Sequence, residues 1–404
     1  MRTSNAIAVG LILACGDWSE RANALGILLT DQDALATARG NAFAATADNP
    51  SALYYNPAGI TQLSGHQLRA GVYGVTYRPQ FRSLAGAAYT AKRGLEATPQ
   101  LYYTYTVPSR RISLGLGVYS PYGLTVEWPE NTGFRSVALK GQLQYLTVQP
   151  VVAWQARRTL SIAAGPTLNY ARTDLIQGLS PLSGNDSFRF EGDAFSPSFI
   201  AGIRWQPLEQ HAFGATYRAA TKVDYSGHTE TAVVVPPLWL QQNARAEFKF
   251  PQSVTLGWSW RPTQRWDVEF NANWTDWSSF DRVAIRQAKP VPPLTLNWRS
   301  SWYFAWGVTR KFDGGWRTSA GYMFSENSVP NANFTPLVPD TDRHAWSVGL
   351  GRDTRNWTWD IAYQLTRGVP RTVSGSALSP GGESADGRYE WWCHALTVSV
   401  GRRF

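Results

Sequence analysis

The chain has 404 residues, of which 43% are hydrophobic and 17% charged, and its formal net charge at pH 7 is +9. No apolar run approaches the roughly twenty residues that a membrane-spanning helix requires. Lysine and arginine are scattered through predicted turns and loops, which argues against nucleic acid as a partner. The only cysteines, Cys15 and Cys393, cannot supply a disulfide framework.

Residues 1–24 are typical of a cleavable signal peptide for export. Arg2 is followed by an apolar stretch from Ala6 to Ala14, and Ala22-Asn23-Ala24 forms a small-x-small cleavage motif. A lipoprotein signal is the alternative, because an Ile-Leu-Ala run directly precedes Cys15.

From residue 66 onward, apolar and polar residues alternate with a period of two, which is typical of strands with two different faces. In the stretch 357–366, for example, Trp357, Ile361 and Tyr363 share one parity, whereas Asp360 and Gln364 lie on the other. The predicted strands are 67–78, 98–107, 111–120, 142–154, 160–174, 195–205, 212–226, 248–260, 266–276, 299–311, 316–326, 343–352, 357–367 and 392–402.

The connections between these strands alternate between short turns and long loops. The apolar parity is rich in Trp and Tyr, as are the aromatic girdles of outer-membrane barrels. The sequence therefore predicts an all-β protein, a 14-stranded antiparallel transmembrane β-barrel over residues 66–404. We expect it in the outer membrane of a Gram-negative bacterium, as a monomer in contact with outer-membrane lipid and lipopolysaccharide. The terminal Phe404 resembles the signal read by the barrel-assembly machinery.

One predicted loop, 227–247, is unusually apolar for a loop exposed to water. It contains three valines and two prolines followed by Leu238, Trp239 and Leu240. These three residues are candidate ligand contacts, because an exposed apolar patch is typical of a binding surface. Packing of the loop against itself is the alternative interpretation.

Residues 25–65 do not alternate and are small and polar, with two Asn-Pro steps that indicate turns. A barrel of about fourteen strands has a lumen that its own side chains do not fill. We therefore expect this segment to fold inside the barrel as an N-terminal hatch, or plug. The alternative, a flexible periplasmic tail, would leave Leu53, Tyr54 and Ile60 in water.

Several segments, taken in order along the chain, carry a resemblance to a known family. They are Ala38–Ala42, Asn56–Gly59, Ser120–Leu124, Tyr217-Arg218, Trp274–Phe280, Asn297–Arg299 and Thr335–Arg343. In these motifs the chain resembles the FadL family of outer-membrane transporters of long-chain fatty acids and aromatic hydrocarbons. The resemblance extends over nearly the whole mature chain. It implies passive uptake: capture in an outer apolar groove, transfer to a pocket gated by the hatch, and lateral exit at a kinked strand.

The resemblance also implies roles for particular residues. Arg172 and Arg299 would bind the head group of a ligand, although an ordinary solvated charge is the alternative for each. Leu25 and Ile27, at the mature N-terminus, would lie beside the pocket and shift on ligand binding. Asn56, Pro57 and Ala58 would form the fixed motif of the hatch.

Two further motifs leave alternatives open. Arg343 ends a Pro-Asp-x-Asp-Arg motif, in which Asp340 and Asp342 are close enough in sequence to neutralise it, so an ion pair within the loop competes with ligand contact. For the strand kink, Gly115, Gly117 and Pro121 in the third strand are the candidates.

Other classes of function are less well supported. No histidine has a neighbouring serine and carboxylate at the spacing of a catalytic triad, and no spacing indicates a metal site. We therefore expect no enzyme activity, no metal and no cofactor. A general diffusion porin and a surface receptor or adhesin remain the alternatives, although a porin would lack the N-terminal plug. The motifs do not distinguish a fatty acid from a hydrocarbon as the ligand.

Overall fold

The computed structural model describes residues 27–404 except 93, 109–110, 182–183, 185 and 234–236. The predicted signal peptide and Leu25 lie outside the described residues. Within this part of the chain, no helix is both long enough and apolar enough to cross a membrane.

Fourteen strands in the described chain form one closed antiparallel barrel. Each pairs with its neighbours in sequence, and the first pairs with the last from Gln67↔Arg403 to Tyr77↔Cys393. The predicted fold class is confirmed. The strands are His66–Tyr77, Gly94–Val107, Ile112–Tyr119 continued by Gly123–Glu127, Lys140–Arg157, Leu160–Gln177, Ser187–Leu208, His211–Arg218 continued by Thr221–Val233, Leu238–Phe250 continued by Ser253–Thr263, Trp266–Thr275, Ser301–Lys311, Trp316–Ser325, Arg343–Asp353, Trp357–Gly368 and Trp392–Arg403.

The alternation in the sequence becomes an apolar outer face and a polar inner face. In the thirteenth strand, Trp357, Ile361 and Tyr363 are exposed on the outside, whereas Asp360 and Gln364 are buried. Most of the exposed large side chains of the barrel are Trp, Leu, Val or Phe. This is the apolar belt that a barrel presents to lipid.

Several strands are longer than predicted. The sixth begins at Ser187 rather than 195, and most of the predicted loop 227–247 is a hairpin formed by Thr221–Val233 and Leu238–Phe250. The predicted loop boundaries were wrong there. Beyond the membrane both faces of a strand meet water, so the sequence has no physical reason to alternate.

The outer loops contain their own small elements. The residues Gln80–Ser83, Ala88–Thr90, Arg371–Val373 and Gly387–Glu390 form a four-stranded sheet, and Arg282–Val283 pairs with Leu294–Thr295. The short strand Ile285–Gln287 continues the main sheet beside the eighth strand. Single 3₁₀ turns lie at Trp277–Ser279, Asp313–Gly315 and Asn331–Asn333. The four-stranded sheet packs Phe81 and Tyr389 against Phe134, which gives these loops an aromatic core.

The residues 27–65, which we call the N-terminal segment, precede the first strand. They contain helix α1 (Ala34–Ala38), helix α2 (Ala52–Tyr55) and a 3₁₀ helix (Pro57–Gln62). Helix α1 begins after Asp33, whose carboxylate accepts hydrogen bonds from the N–H groups of Leu35 and Ala36.

The N-terminal segment contacts inward-facing residues of all fourteen strands, so it lies within the ring of strands. In strand order, these residues are Arg69, Gln100, Gly115, Gln149, Ser161, Arg204, Thr216, Ser259, Glu269, Thr309, Gly321, Ser347, Gln364 and Ser399.

Buried ion pairs bind the segment to the wall on two sides. The Arg39 guanidinium, which is 2% exposed, lies 3.1 Å from Asp267 and 3.3 Å from Glu269 of the ninth strand. The second Glu269 oxygen accepts the Ala45 N–H at 2.8 Å. On the opposite side, Arg69 of the first strand pairs with Asp33.

Glycines in the wall allow this close approach. A side chain at Gly321 would overlap the backbone of Arg39 and Gly40, and one at Gly214 would overlap the carbonyl of Ala44. Strand glycines often mark places where another backbone comes near. The segment therefore packs directly against the strand backbones.

Candidate functional site

The third strand is broken at Ser120–Tyr122, which we call the strand break. Before it, Ile112–Tyr119 pairs with the second strand on one side and the fourth on the other. After it, Gly123–Glu127 pairs with the fourth strand alone. Pro121 lies in the break, as one of the kink candidates, whereas Gly115 and Gly117 lie in regular pairing.

The break leaves a gap in the wall between the second and third strands. The described ladder between the second and third strands runs from Leu101↔Val118 to Val107↔Ile112 and so ends just before the strand break. The gap ends at its outer rim, where the Lys92 N–H donates to the Glu127 carbonyl at 2.8 Å. Leu95 and Leu101, on the outer face of the second strand beside the gap, are 70% and 43% exposed.

The first described residues bond to the strand break. The Leu29 N–H donates to the Pro121 carbonyl at 2.8 Å, and the Gly123 N–H donates to the Ile27 carbonyl at 3.0 Å. Between them Leu28 and Tyr122 form an isolated antiparallel bridge. The chain from Ile27 to Leu29 thus provides the strand break with backbone partners that the second strand does not provide.

The residues that follow are held by the second strand and by the segment itself. Side chains of Gln100 and Tyr102 donate to the carbonyls of Asp31 and Gln32 at 2.8 and 3.0 Å. The Tyr54 hydroxyl donates to the Leu29 carbonyl at 3.1 Å. The beginning of the segment therefore spans the gap from one edge to the other.

Asp31 is a buried carboxylate within this contact. It accepts hydrogen bonds from Asn41 at 2.9 Å and Gln364 at 3.0 Å, and no cation in the described chain pairs with it. Burial raises the pKa of the Asp31 carboxyl above its ordinary value, and these hydrogen bonds offset only part of the rise.

A cavity lies beside Ile27 and Leu28 at the outer ends of the ninth to twelfth strands; we call it the outer cavity. Half of its lining residues are apolar or aromatic, and its charged lining residues are Glu326, Asp340 and Arg343. The lining residues are Ile27, Leu28, Thr275, Trp277, Trp298, Ser301, Trp302, Tyr303, Ser325, Glu326, Ser328, Val338, Asp340 and Arg343.

Two buried donors of the outer cavity have no acceptor in the part of the chain that the structure describes. They are the Arg343 Nε–H and the Trp298 indole N–H. A buried donor without a partner is costly, and such groups are satisfied by water, an ion or a ligand in most proteins. The two donors therefore leave hydrogen-bonding capacity for the acceptor oxygens of water, an ion or a ligand head group.

Arg343 also makes the ion pair expected from its motif, with Asp340 at 3.3 Å. The second Asp340 oxygen accepts the N–H and hydroxyl of Ser328 at 2.9 and 3.1 Å. Asp342 instead accepts the N–H of Asn327. Arg343 thus stabilises the loop through its ion pair with Asp340 and also places a positive charge at the outer cavity.

A second cavity, which we call the inner cavity, lies deeper and against helix α2. Its lining includes Arg218, four tyrosines and several Ser, Thr and Asn side chains. It shares the lining residues Leu28, Thr275 and Tyr303 with the outer cavity, so both cavities border the beginning of the N-terminal segment.

Arg172 and Arg299, the expected head-group residues, line neither cavity. Arg172 lies on the same outward face of the fifth strand as the exposed Leu168. Its side chain is 54% exposed and forms an ion pair with Glu191 at 2.6 Å. Arg299 is exposed and donates its backbone N–H to Ser328. The alternative of a solvated charge fits both geometries better than a pocket role does.

Leu238, Trp239 and Leu240, the hydrophobic residues of the predicted loop, are the first three residues of the strand Leu238–Phe250, at the hairpin tip. Leu238 and Trp239 are 49% and 65% exposed, and Leu240 is half-buried. Leu240 lies opposite Thr231, which pairs on its other side with Phe188. The tip is thus an exposed apolar surface above the barrel, separate from both cavities.

The hatch motif residues are buried against the sixth strand. The Asn56 amide donates to the carbonyls of Ala44 at 2.7 Å and Ile203 at 3.0 Å, and its oxygen accepts the Ala58 N–H at 3.2 Å. Pro57 and Ala58 are buried beside it. This is a fixed contact with the wall, at some distance in the chain from the strand break.

Sequence reasoning missed the tryptophans of the outer cavity and the position of Arg218 in the lining of the inner cavity. Trp277 and Trp298 lie in segments that the sequence marked only as motifs. Trp302 has an outward parity and lines the cavity at the strand end. The only signal available was the motif itself, because a polar or aromatic residue in a long loop carries no local sign of what it faces.

These features define an outer-membrane transport barrel: a closed apolar-belted wall, a chain segment across the lumen, and cavities on either side of its beginning. The chain belongs to the family described as "Outer membrane protein transport protein (OMPP1/FadL/TodX)", whose model matches residues 15–404. The resemblance seen in the sequence is thereby confirmed, as is the location in the outer membrane.

Individual relatives are distant. The chain is 22% identical over 352 residues to a long-chain fatty acid transport protein of Escherichia coli O6:H1, covering 76% of this chain and 78% of that protein. A solved Pseudomonas aeruginosa FadL homologue superposes with a TM-score of 0.85 at 19% identity, covering 93% and 99% of the two chains. The Pseudomonas putida toluene transporter TodX gives 0.71 at 18% identity, covering 92% and 98%. At such identities the structures establish a shared fold.

Proposed function

We propose that this protein mediates passive uptake of hydrophobic molecules that carry an oxygen-bearing head group, with long-chain fatty acids as the leading candidates. The observation that carries the proposal is the pair of unsatisfied donors, Arg343 Nε–H and Trp298 Nε1–H, in a cavity walled by tryptophans. A carboxylate would satisfy both donors while its tail lies on apolar surface. A monoaromatic hydrocarbon would leave them unpaired.

Uptake would begin at the apolar hairpin tip, where Leu238, Trp239 and Leu240 offer a first contact for a ligand outside the membrane. The ligand would then occupy the outer cavity. The N-terminal segment acts as the hatch in this scheme, and its contacts with residues of every strand support that role, whereas a general porin would need an open aqueous channel. No covalent chemistry is required, because affinity differences between the sites and the gradient set the direction.

Exit would be lateral, through the gap beside the strand break. Eight residues separate Ile112 from Ser120, which corresponds to about 26 Å along a strand and about 20 Å across the membrane at the usual tilt. The break therefore falls within the apolar band of about 25 Å. An apolar molecule that leaves through this gap, which Leu95 and Leu101 flank, enters lipid directly and avoids transfer into water.

The proposal is tested by ligand binding to the purified protein in mild detergent. A brominated long-chain fatty acid should quench the tryptophan fluorescence saturably, and oleate should compete better than oleyl alcohol, which should compete better than hexadecane or toluene. Replacing Trp392, a lipid-facing residue, with Phe is the matched control and should leave the titration unchanged. The absence of saturable quenching, together with ion conductance in planar bilayers, would instead indicate a porin.

A further inference from the structure

Arg218 differs from Arg39 and Arg69, which are also placed deep in the lumen. Its Nη1–H donates to the Tyr119 hydroxyl at 2.9 Å and its Nη2–H to the Tyr54 carbonyl at 3.2 Å. Its Cζ lies 4.9 Å from the ring centre of Tyr54 and 5.6 Å from that of Tyr119. In the described chain, no carboxylate forms an ion pair with it, whereas Arg39 and Arg69 each have two.

This arrangement leaves the guanidinium only partly satisfied. An arginine side chain carries five N–H donors, and the two recorded bonds of Arg218 go to neutral oxygens. Aromatic faces stabilise a cation, but less than a hydrogen-bonded anion does. A cation held away from bulk water without an anion is costly. The site thus has capacity for one anionic group.

The surroundings of Arg218 would accommodate such a group. Arg218 lines the inner cavity together with polar side chains such as Asn273 and Thr255. The inner and outer cavities both border Leu28 and Tyr303, so displacement of Leu28 would bring a ligand from the outer cavity towards Arg218.

We propose that Arg218 and the rings of Tyr54 and Tyr119 form a second anion-binding station on the transport route, for the carboxylate head of an amphiphilic ligand. The first station is Arg343 in the outer cavity, and the residues Ile27 and Leu28 lie between the two. The inference rests on the proposed function and deepens it, because it selects monocarboxylate amphiphiles over neutral hydrocarbons during passage.

The position of the station links the head group to the exit. Tyr119 is the last paired residue before the strand break, and Tyr54 donates its hydroxyl to Leu29, which is bonded to Pro121. A carboxylate at Arg218 would compete with the Tyr119 hydroxyl for the guanidinium. The head group would then be held beside the gap while the tail can turn towards lipid.

The experiment compares uptake of radiolabelled oleate and oleyl alcohol by Gram-negative cells that lack their own transporter and express either the wild type or a variant. Arg218→Met should lower the rate of oleate uptake about tenfold, because a charge-assisted hydrogen bond is lost, and change oleyl alcohol uptake less than about twofold. Arg218→Lys should retain most oleate uptake. Quenching by the brominated acid at the outer cavity should remain as in the wild type.

Arg204→Met is the matched control, because Arg204 also donates to a carbonyl of the N-terminal segment, that of Ala45 at 2.8 Å, but lines neither cavity. It should leave both uptake rates within about twofold of the wild type. If Arg218→Met lowers the uptake rates of oleate and oleyl alcohol equally, Arg218 only supports the structure of the N-terminal segment. If it lowers neither rate, Arg218 is not an anion-binding site on the route. These outcomes differ from a failure of the proposed function, because in that case the wild-type protein itself would show no saturable oleate binding.

Discussion

Leu29 donates its backbone N–H to the carbonyl of Pro121 at 2.8 Å, and this bond, with that from Gly123 to Ile27, joins the beginning of the described chain to the break in the wall. The two residues are 92 positions apart in the sequence. In an uninterrupted barrel, the second strand would supply this partner. Here, the N-terminal segment supplies it, so movement of the segment and opening of the gap are coupled by geometry.

A cross-link between Leu28 and Tyr122 should therefore close the exit. Bridge partners in an antiparallel pair are close enough for a disulfide, so the double variant Leu28→Cys, Tyr122→Cys should oxidise readily. We expect oxidised protein to bind the brominated fatty acid but to take up oleate at least about tenfold more slowly. Reduction with dithiothreitol should restore uptake, since only the covalent bond differs.

The two single-cysteine variants are the controls and should transport at equal rates in oxidant and reductant. Undiminished uptake by the fully oxidised double variant would show that the segment need not leave the break for transport.

A side chain at Gly321 should displace the N-terminal segment from the wall. Gly321→Ala places a methyl group against the backbone of Arg39 and Gly40, and such overpacking costs about 1–3 kcal/mol. We expect the barrel to stay heat-modifiable on gels, while planar-bilayer recordings show more frequent opening to ions than in the wild type.

Gly74→Ala is the matched change in the first strand, where an added methyl group would meet only ordinary contacts of 3.7 Å and longer. The Gly74→Ala variant should show the same ion conductance in planar bilayers as the wild type. Identical recordings for both glycine variants would show that the segment adjusts without opening.

Replacing Arg343 should discriminate between acid and alcohol ligands. Arg343→Met removes the unsatisfied Nε–H and the positive charge from the outer cavity, so oleate affinity should fall about tenfold, with little change for oleyl alcohol. Asp340 keeps its two hydrogen bonds from Ser328, which limits the loss of stability. Fluorescence titration measures the affinities, and thermal unfolding measures the stability.

The double variant Arg172→Ala, Arg299→Ala provides the comparison, since both side chains are exposed and lie outside the cavities. Its oleate affinity should stay within about twofold of the wild type. A larger loss there than in Arg343→Met would place the head-group site elsewhere.

Asp31 should make the position of the N-terminal segment depend on pH. The pKa of the buried carboxyl is raised, so the closed position favours the protonated form. Its contribution to stability is complete below the ordinary value of about 4 and is lost as pH rises through the raised pKa. A spin label at Leu28→Cys should therefore become more mobile as the pH rises above about 4.

Asp31→Asn should keep the label immobile over the same range, because an amide can still accept the hydrogen bonds of Asn41 and Gln364 without a buried charge. A label whose mobility follows pH equally in both backgrounds would assign the effect to another group.

The sequence by itself determined the barrel. Alternation with a period of two and the rhythm of turns and loops are local patterns, imposed on each strand by lipid on one side and a polar lumen on the other. They therefore revealed the number of strands, their approximate bounds and the membrane. The pattern failed where that asymmetry ends, at the outer extensions such as Ser187–Asp193.

The tertiary structure alone decided the geometry of the route. Which arginine faces a cavity depends on contacts between residues far apart in sequence: Arg343 and Trp298 meet one space, Arg218 meets another, and Arg172 instead pairs with Glu191 on the outside. The strand break is likewise defined by the point at which the ladder between the second and third strands ends. Such long-range relationships leave no periodic signal, because they arise only when the closed barrel brings its strands around the N-terminal segment.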